Sequence, residues 1–348
     1  MHYCSGGPYF RFLEFYTLPL YHGSVLTCGE NAFIIGKDLY ILEEKSLKES
    51  QLMKKAAPLF VAAAAILWGV LVVFIKQLSI AGFSAMEIVA LRVYGSAIFL
   101  LLSLFIGKRK LLRIKIRDSW CFIGTGVFSI VFFSYCYFRN VQVSSVALSS
   151  ILMYTSPVWV TLLSALCFRE KLNRGKIAAL ILALAGCCLV SGITGGLGAV
   201  SIQGILLGMG SGIGYGLYSI FGRFALDKGY APMTVTTYTF SFACIGVLPF
   251  VKFPSIIASL NEQPTLWLWA IGMAFFTTCL SFTLYTIGLA HMDPSRAAVL
   301  ATLEPIVTTL VGTVLYKEPL TLSMGAGIVL VLVSSILISR ADEVADKK

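Results

Sequence analysis

VSSVALSSILMYTSPVWVTLLSALCFREKLNRGKIAALILALAGCCLVS, residues 143–191, returns without a gap as HMDPSRAAVLATLEPIVTTLVGTVLYKEPLTLSMGAGIVLVLVSSILIS, residues 291–339. Leu152, Pro157, Thr161, Leu162, Glu170, Leu172 and Ala178 of the first copy align with Leu300, Pro305, Thr309, Leu310, Glu318, Leu320 and Ala326 of the second. The frame extends backward. Trp68-Gly69 with Lys76 matches Tyr215-Gly216 with Arg223 after a slip of one residue, and Tyr137 matches Tyr285. A chain that repeats itself in this way is built from two copies of one unit. In an apolar chain such repeats are the mark of a transporter.

Composition agrees. Apolar residues make up 57% and charged residues 13% of the 348, with a mean hydropathy of +0.85, far from the balance of a soluble domain. Apolar stretches of about 20 residues, the length that crosses a bilayer, fall near 56–78, 85–106, 119–138, 145–168, 175–192, 204–226, 232–251, 265–289, 294–316 and 321–340. These ten spans predict an all-α integral membrane protein with five helices per repeat, residues 53–192 and 193–340, and a tail at 341–348. With an odd number of spans, the second repeat enters the membrane from the opposite side and is inverted relative to the first.

Loop charges set the orientation. Lys54, Lys55, Lys108, Arg109, Lys110, Arg113, Lys115, Arg117, Arg169, Lys171, Arg174, Lys176, Lys228, Arg340, Lys347 and Lys348 fall in one alternate set of loops. The other set holds only Lys76, Arg139, Lys252 and Lys317. The positive-inside rule then makes this a multi-pass protein of the cell membrane with both termini cytoplasmic. The net charge of +10 follows from that orientation, so nucleic acid is not needed as a partner. The Lys108–Arg117 patch is also able to touch anionic lipid head groups of the bilayer.

Residues 1–52 stand outside the pattern, and they lack the apolar core of a secretory signal. Met53-Lys54-Lys55 before an apolar span reads as a bacterial inner-membrane start, and Lys48-Glu49 fits a purine-rich ribosome-binding sequence upstream of it. The expectation is that residues 1–52 arise from the choice of start site, with a cytoplasmic extension as the rival. A native peptide covering Phe33 to Lys37 would refute the first.

The stretch Ser144-Ser145-Val146-Ala147-Leu148, Ser156-Pro157 and Arg169-Glu170-Lys171-Leu172 has a partner in the second repeat. That partner is Pro294-Ser295-Arg296-Ala297-Ala298, Leu303-Glu304-Pro305 and Lys317-Glu318-Pro319-Leu320-Thr321. Together with Trp68-Gly69 and Ala90-Leu91-Arg92, these resemble EamA-type members of the drug/metabolite transporter superfamily, from about Met53 to Arg340. The resemblance implies ten helices in two inverted repeats, with helices 1–4 and 6–9 around a central cavity and helices 5 and 10 outside. It also implies export of amino acids or other small metabolites.

Arg92 lies near the middle of the second span, where an unpaired arginine costs about 2.5–3.5 kcal/mol on insertion scales. It needs a cavity or a partner. It is read either as an anchor for a substrate carboxylate or phosphate, or as half of an ion pair with Glu304 or Glu87. Its repeat equivalent is Thr239 or Phe240, so architecture does not impose the charge. Glu304 precedes Pro305 midway along the ninth span, where Ser156 precedes Pro157 in the first copy. A carboxylate in low dielectric is a candidate for proton coupling; the structural alternatives are capping a broken helix or balancing Arg92. Pro157 and Pro305 each remove a backbone donor and should kink their spans at corresponding places.

Lys76 and Arg223 are equivalent and fall near opposite membrane faces, either snorkelling to head groups or gating the two mouths. Trp68, Tyr215, Tyr135, Tyr154 and Tyr285 sit within spans, away from the interfacial belt, and are candidates to line the cavity, as Tyr94, Tyr218 and Tyr238 also are. Gly204, Gly208, Gly212 and Gly216 recur every four residues on the sixth span, with Gly210 and Gly214 between them, a small-residue face for close helix approach. The run completes no G-x-G-x-x-G register.

The nine cysteines lack C-x-x-C spacing, and with only His2, His22 and His291 no metal or cofactor motif appears. Ser211 with His291 is a weak hydrolase pair without a recognised nucleophile turn. No G-x-x-x-x-G-K-[ST] is present for nucleotide-driven transport. The reading is therefore a secondary carrier for a small-molecule substrate, with proton coupling and a homodimer left open. The rivals are a lipid-carrier flippase, which needs a lateral opening, and a non-transporting scaffold, which would leave Arg92 and Glu304 fully paired with no cavity between them.

Overall fold

The computed structural model describes residues 31–144, 146–191, 201–317 and 319–340. It separates into two units, Met1–Gln51 and Leu52–Lys348. Most of the start-site expectation, residues 1–30, lies outside the described residues, as do the tail 341–348 and position Glu318.

Among the described residues every regular element is helical. The ten spans are α1 (Asn31–Ile80), α2 (Ala85–Gly107), α3 (Ile116–Val143), α4 (Val146–Phe168), α5 (Arg174–Val190), α6 (Ile202–Asp227), α7 (Pro232–Val247), α8 (Thr265–Leu289), α9 (Pro294–Tyr316) and α10 (Leu322–Arg340). Nine of them are long and apolar enough to cross a membrane, the part of α1 concerned being Gln51–Ile80. The remaining one, α5, has 17 residues, at the lower end of what spans a hydrocarbon core.

Local sequence explains the helix ends. Ser84 and Glu87 form a reciprocal capping box at the start of α2, Asn173 accepts from the Lys176 N–H at α5, and Ser201 accepts from the Gly204 N–H at α6. Each satisfies a backbone donor that the first turn leaves open. Pro232 and Pro294 occupy first turns, where the missing N–H costs nothing. Arg169 and Lys317, at equivalent ends of α4 and α9, both take the left-handed conformation with φ of 55°.

Pro157 and Pro305 do not kink continuous helices. Instead α4 stops at Met153 and restarts at Ser156, and α9 stops at Ala301 and restarts at Glu304. Each proline stands in the first turn of a new half-helix, where a backbone N–H would have no intrahelical acceptor and its absence costs nothing. The repeats share a second irregularity: π-helical turns at Gly124–Val131 in α3 and Phe275–Leu280 in α8.

Two-fold pseudosymmetry shows in paired contacts. A Cβ on Gly69 would meet the Glu304 carbonyl at 2.9 Å, and one on Gly216 would meet the Ser156 carbonyl at 3.3 Å. These are the same contact made once by each repeat. Outside the cavity, α5 packs on α10: a Cβ on Gly186 would sit 2.9 Å from the Gly327 carbonyl, while Ser334 Oγ donates to the Ala179 carbonyl at 2.7 Å. The repeat exchanges these two contacts.

Hydrogen bonds sort the loops into two faces. Lys228 Nζ and Tyr230 Oη donate to Asp118 at 2.7 and 2.8 Å, Arg223 Nη1 donates to the Met292 carbonyl at 3.1 Å, and Lys176 Nζ donates to Asp293 at 2.5 Å. The basic loops therefore gather at one end of the bundle. At the other end, Ser255 Oγ donates to Glu87 at 3.4 Å and Lys76 Nζ lies 3.3 Å from the centre of the Tyr316 ring.

Candidate functional site

The α9 break, through Glu304, and the π-helical turn of α3, through Ser129 and Ile130, line one cavity of about 80 Å³, which α8 reaches just beyond its own π-helical turn with Phe282 and Tyr285. The volume is enough for several water molecules. Its wall is aromatic. Trp68 packs with Phe282, Tyr285 and Tyr215 at ring-centroid distances of 5.0, 5.2 and 6.3 Å, and Phe133 meets Tyr215 edge-on at 5.2 Å. The seat for Trp68 comes from the next residue, because only Gly69 lets α1 approach the α9 break so closely.

Two opposite charges face this cavity. Glu304, the first residue of the second half of α9, accepts a 2.7 Å hydrogen bond from Tyr215 Oη. Arg92 comes from α2 and donates from Nε to Thr278 Oγ1 at 3.3 Å, a hydroxyl that the π-helical turn of α8 presents. Arg92 and Glu304 both line the wall, yet among the described residues neither forms an ion pair. Glu87, the other partner considered for Arg92, caps its own helix instead. Trp68 Nε1 is a buried donor with no hydrogen-bond acceptor among the described residues. Below the aromatic wall runs a set of buried hydroxyls, with Ser219 to Tyr285 at 2.7 Å, Tyr218 to Thr286 at 2.6 Å and Thr236 to Thr286 at 3.3 Å.

The structure brings Arg92, Glu304, Trp68, Tyr215 and Tyr285 together and leaves two candidates out. Tyr135 is 40% exposed and lies against Phe250, on an outward stripe of α3 with Phe128 and Phe132. Tyr154 lies in the α4 break, buried beside Met153, Cys187, Ile306 and Val331, and is near Glu304 without lining the cavity. Pro305 follows Glu304 in the restart of α9 that lines the wall, whereas no residue of α4 around Pro157 is among the lining residues. Lys76 and Arg223 are engaged with protein: Lys76 with Tyr316, and Arg223 with Asp227 at 2.8 Å and the carbonyls of Leu289 and Met292.

Residues missed by the sequence reading include Ser129, Phe133, Ser134, Ser219 and Phe282 in the wall, and Thr278 behind Arg92. Helical spacing from Tyr215 and Tyr285 would have found Ser219 and Phe282, each within one turn. Ser129 carries no such signal, because the π-helical turn changes which side chains of α3 face inward. The hydrolase pair is apart in function: Ser211 donates to the Gly208 carbonyl, and His291 Nδ1 contacts the Ile287 carbonyl.

The family model of the EamA-like transporter family matches residues 55–192 and again 202–340. An uncharacterized transporter of Archaeoglobus fulgidus is 29% identical over 274 residues, covering 78% of this chain and 95% of its own length. The uncharacterized transporter YwfM of Bacillus subtilis is 23% identical over 284 residues, covering 81% and 93%. A crystal structure 18% identical in sequence superposes with a TM-score of 0.68, covering 81% of this chain and 96% of that one.

Proposed function

Since the chain belongs to the EamA-like transporter family and is a membrane transporter, we propose that it exports amino acids or other small metabolites from the cytoplasm as a secondary carrier. Its two inverted repeats exchange conformations around the central cavity. The basic face is cytoplasmic by the positive-inside rule, with both termini on that side.

One observation carries this reading: Arg92 from the first repeat and Glu304 from the second face one cavity, near enough to attract each other but without a direct ion pair. A scaffold would gain by pairing them. Unpaired, they suit a substrate that brings its own charges. A substrate carboxylate fits the Arg92 guanidinium, with the orphaned Trp68 N–H as a further donor. Glu304 receives either the substrate's ammonium group or a proton, and the proton would couple export to the membrane gradient. The aromatic wall contributes apolar contact area and closes over the substrate.

The test is uptake of labelled amino acids and small metabolites into inside-out vesicles, with and without an imposed proton gradient. Arg92→Ala should lower uptake of the transported class by about ten- to a hundredfold, the worth of a lost charge-assisted hydrogen bond. Glu304→Gln should abolish the response of uptake to the gradient where Glu304 carries the proton, and lower uptake without altering that response where it holds the substrate's ammonium group. Equal uptake by the native chain and Arg92→Ala would overturn the placement of the site.

A further inference from the structure

Along α3, Phe133, Tyr137 and Asn140 fall on one helical face, continued by the C-capping Ser144, that leads from the cavity toward the end of the bundle opposite the basic loops. Tyr137 bonds Ser150 of α4 at 3.3 Å. Beyond it, Asn140 is fully buried, and among the described residues both its amide oxygen and its amide nitrogen lack a hydrogen-bond partner, as does Ser144 Oγ. Three unpartnered polar atoms in one place are uncommon in a folded protein, because each forfeits its hydration without return.

What covers them is the glycine face of α6. A Cβ on Gly204 would lie 2.1 Å from Ser144 Oγ and 3.4 Å from Asn140 Oδ1, and one on Gly208 would lie 2.8 Å from Asn140 Nδ2. The same contact exists at the basic face, formed by the inverted copy, and there it is apolar. Asn140 and Ser144 correspond to Gly288 and Met292, and Gly204 and Gly208 to Ala57 and Val61. A Cβ on Gly288 would meet Val61 Cγ2 at 2.5 Å and the Ala57 carbonyl at 3.0 Å. Architecture therefore demands a close α3–α6 seal and its counterpart, but it does not demand polar groups in either.

We propose that Asn140 and Ser144 line the substrate passage on the face opposite the basic loops, shut here beneath the glycine face of α6. The proposal rests on the alternating-access reading above. When α6 parts from α3, the amide and the hydroxyl meet water and the hydrogen-bonding groups of a small polar or zwitterionic substrate leaving the cavity. An amide suits this task because it offers a donor and an acceptor without a charge that would hold the substrate back. Their hydration also favours opening at this face, whereas the apolar counterpart gains nothing comparable by opening.

The test follows labelling of a cavity cysteine, Ser134→Cys, in a background whose nine native cysteines are replaced by alanine. The probe is a membrane-impermeant, positively charged methanethiosulfonate, applied separately to right-side-out and inside-out vesicles. Adding Asn140→Leu should slow labelling from the face opposite the basic loops at least tenfold and leave or raise thermal stability, since an apolar side chain of similar size suits the closed seal. Gly208→Ala, which wedges α6 from Asn140 and Leu152, should speed labelling from that face. Unchanged labelling in both variants would overturn the passage while leaving alternating access intact. A loss of stability in Asn140→Leu with unchanged labelling would make Asn140 a structural residue holding a buried water. A cavity cysteine labelled from neither face in any variant would overturn the alternating-access reading, and the passage with it.

Discussion

At the scale of single residues, the site depends as much on what is absent as on what is present. Gly69 and Gly216 contribute no atoms to the cavity, yet each allows a helix to rest on the break of another. In Gly69→Val the new Cβ would stand 2.4 Å from Val307 Cβ, with backbone also close. Overpacking of this kind costs about 1–3 kcal/mol. A lowered melting temperature of the purified protein in detergent, together with impaired transport, is the expected result. Sequence comparison of the repeats finds both glycines, but only the structure shows what they touch. Tyr135 and Tyr215 illustrate the same limit: both are tyrosines within spans, and one faces outward while the other bonds Glu304.

At the scale of elements, the spans were legible because a run of apolar residues needs no knowledge of its neighbours. Their interior irregularities were less so. The prolines signalled disturbance in α4 and α9, but the restart before each proline depends on the turns at Tyr154-Thr155 and Thr302-Leu303. There Thr155 and Thr302 hydroxyls donate to the carbonyls of Leu152 and Val299, each at 2.6 Å. The π-helical turns of α3 and α8 have no sequence signature of comparable strength, and they decide which side chains reach the cavity. The α5–α10 pair is simpler, resting on close approach of small residues. Gly327→Val would press on the Gly186 carbonyl, 2.7 Å from the added Cβ. It should lower stability by about 1–3 kcal/mol, and leave the labelling of cavity cysteines from either face unchanged in ratio, because neither helix lines the cavity.

At the scale of the whole molecule, the repeats are joined at the basic face by an ionic network whose Lys176 and Glu170 are buried and whose Asp293 is partly exposed. Lys176 bonds Glu170 at 2.9 Å and Asp293 at 2.5 Å, and the Glu170 carboxylate also accepts from Ser164 and Ser295. Lys176 and Glu170 are 6% and 4% exposed, so removal of the cation leaves a carboxylate in low dielectric. Lys176→Met should therefore cost about 3–5 kcal/mol, measured as a fall in the unfolding midpoint. A change below about 1 kcal/mol would show that water reaches the network and screens it. The repeat does not supply this device twice: Ser164, Lys176, Asp293 and Ser295 correspond to Gly312, Met324, Ser145 and Ala147.

The sequence by itself determined the two repeats, the number of spans, their inversion and the division of loops into basic and sparse sets. All of these are properties of residues counted along one dimension, where hydrophobic length and Lys/Arg placement act locally. It also singled out Arg92 and Glu304, because charge inside a span is costly wherever the helix lies. Only the tertiary structure decided that these two charges share a cavity without pairing, that Trp68 is sealed in by Gly69, and that Asn140 is buried beneath α6. Those outcomes depend on which helix faces meet and how closely. That is fixed by side-chain packing between segments far apart in the chain, and by π-helical turns that shift the facing of every residue after them.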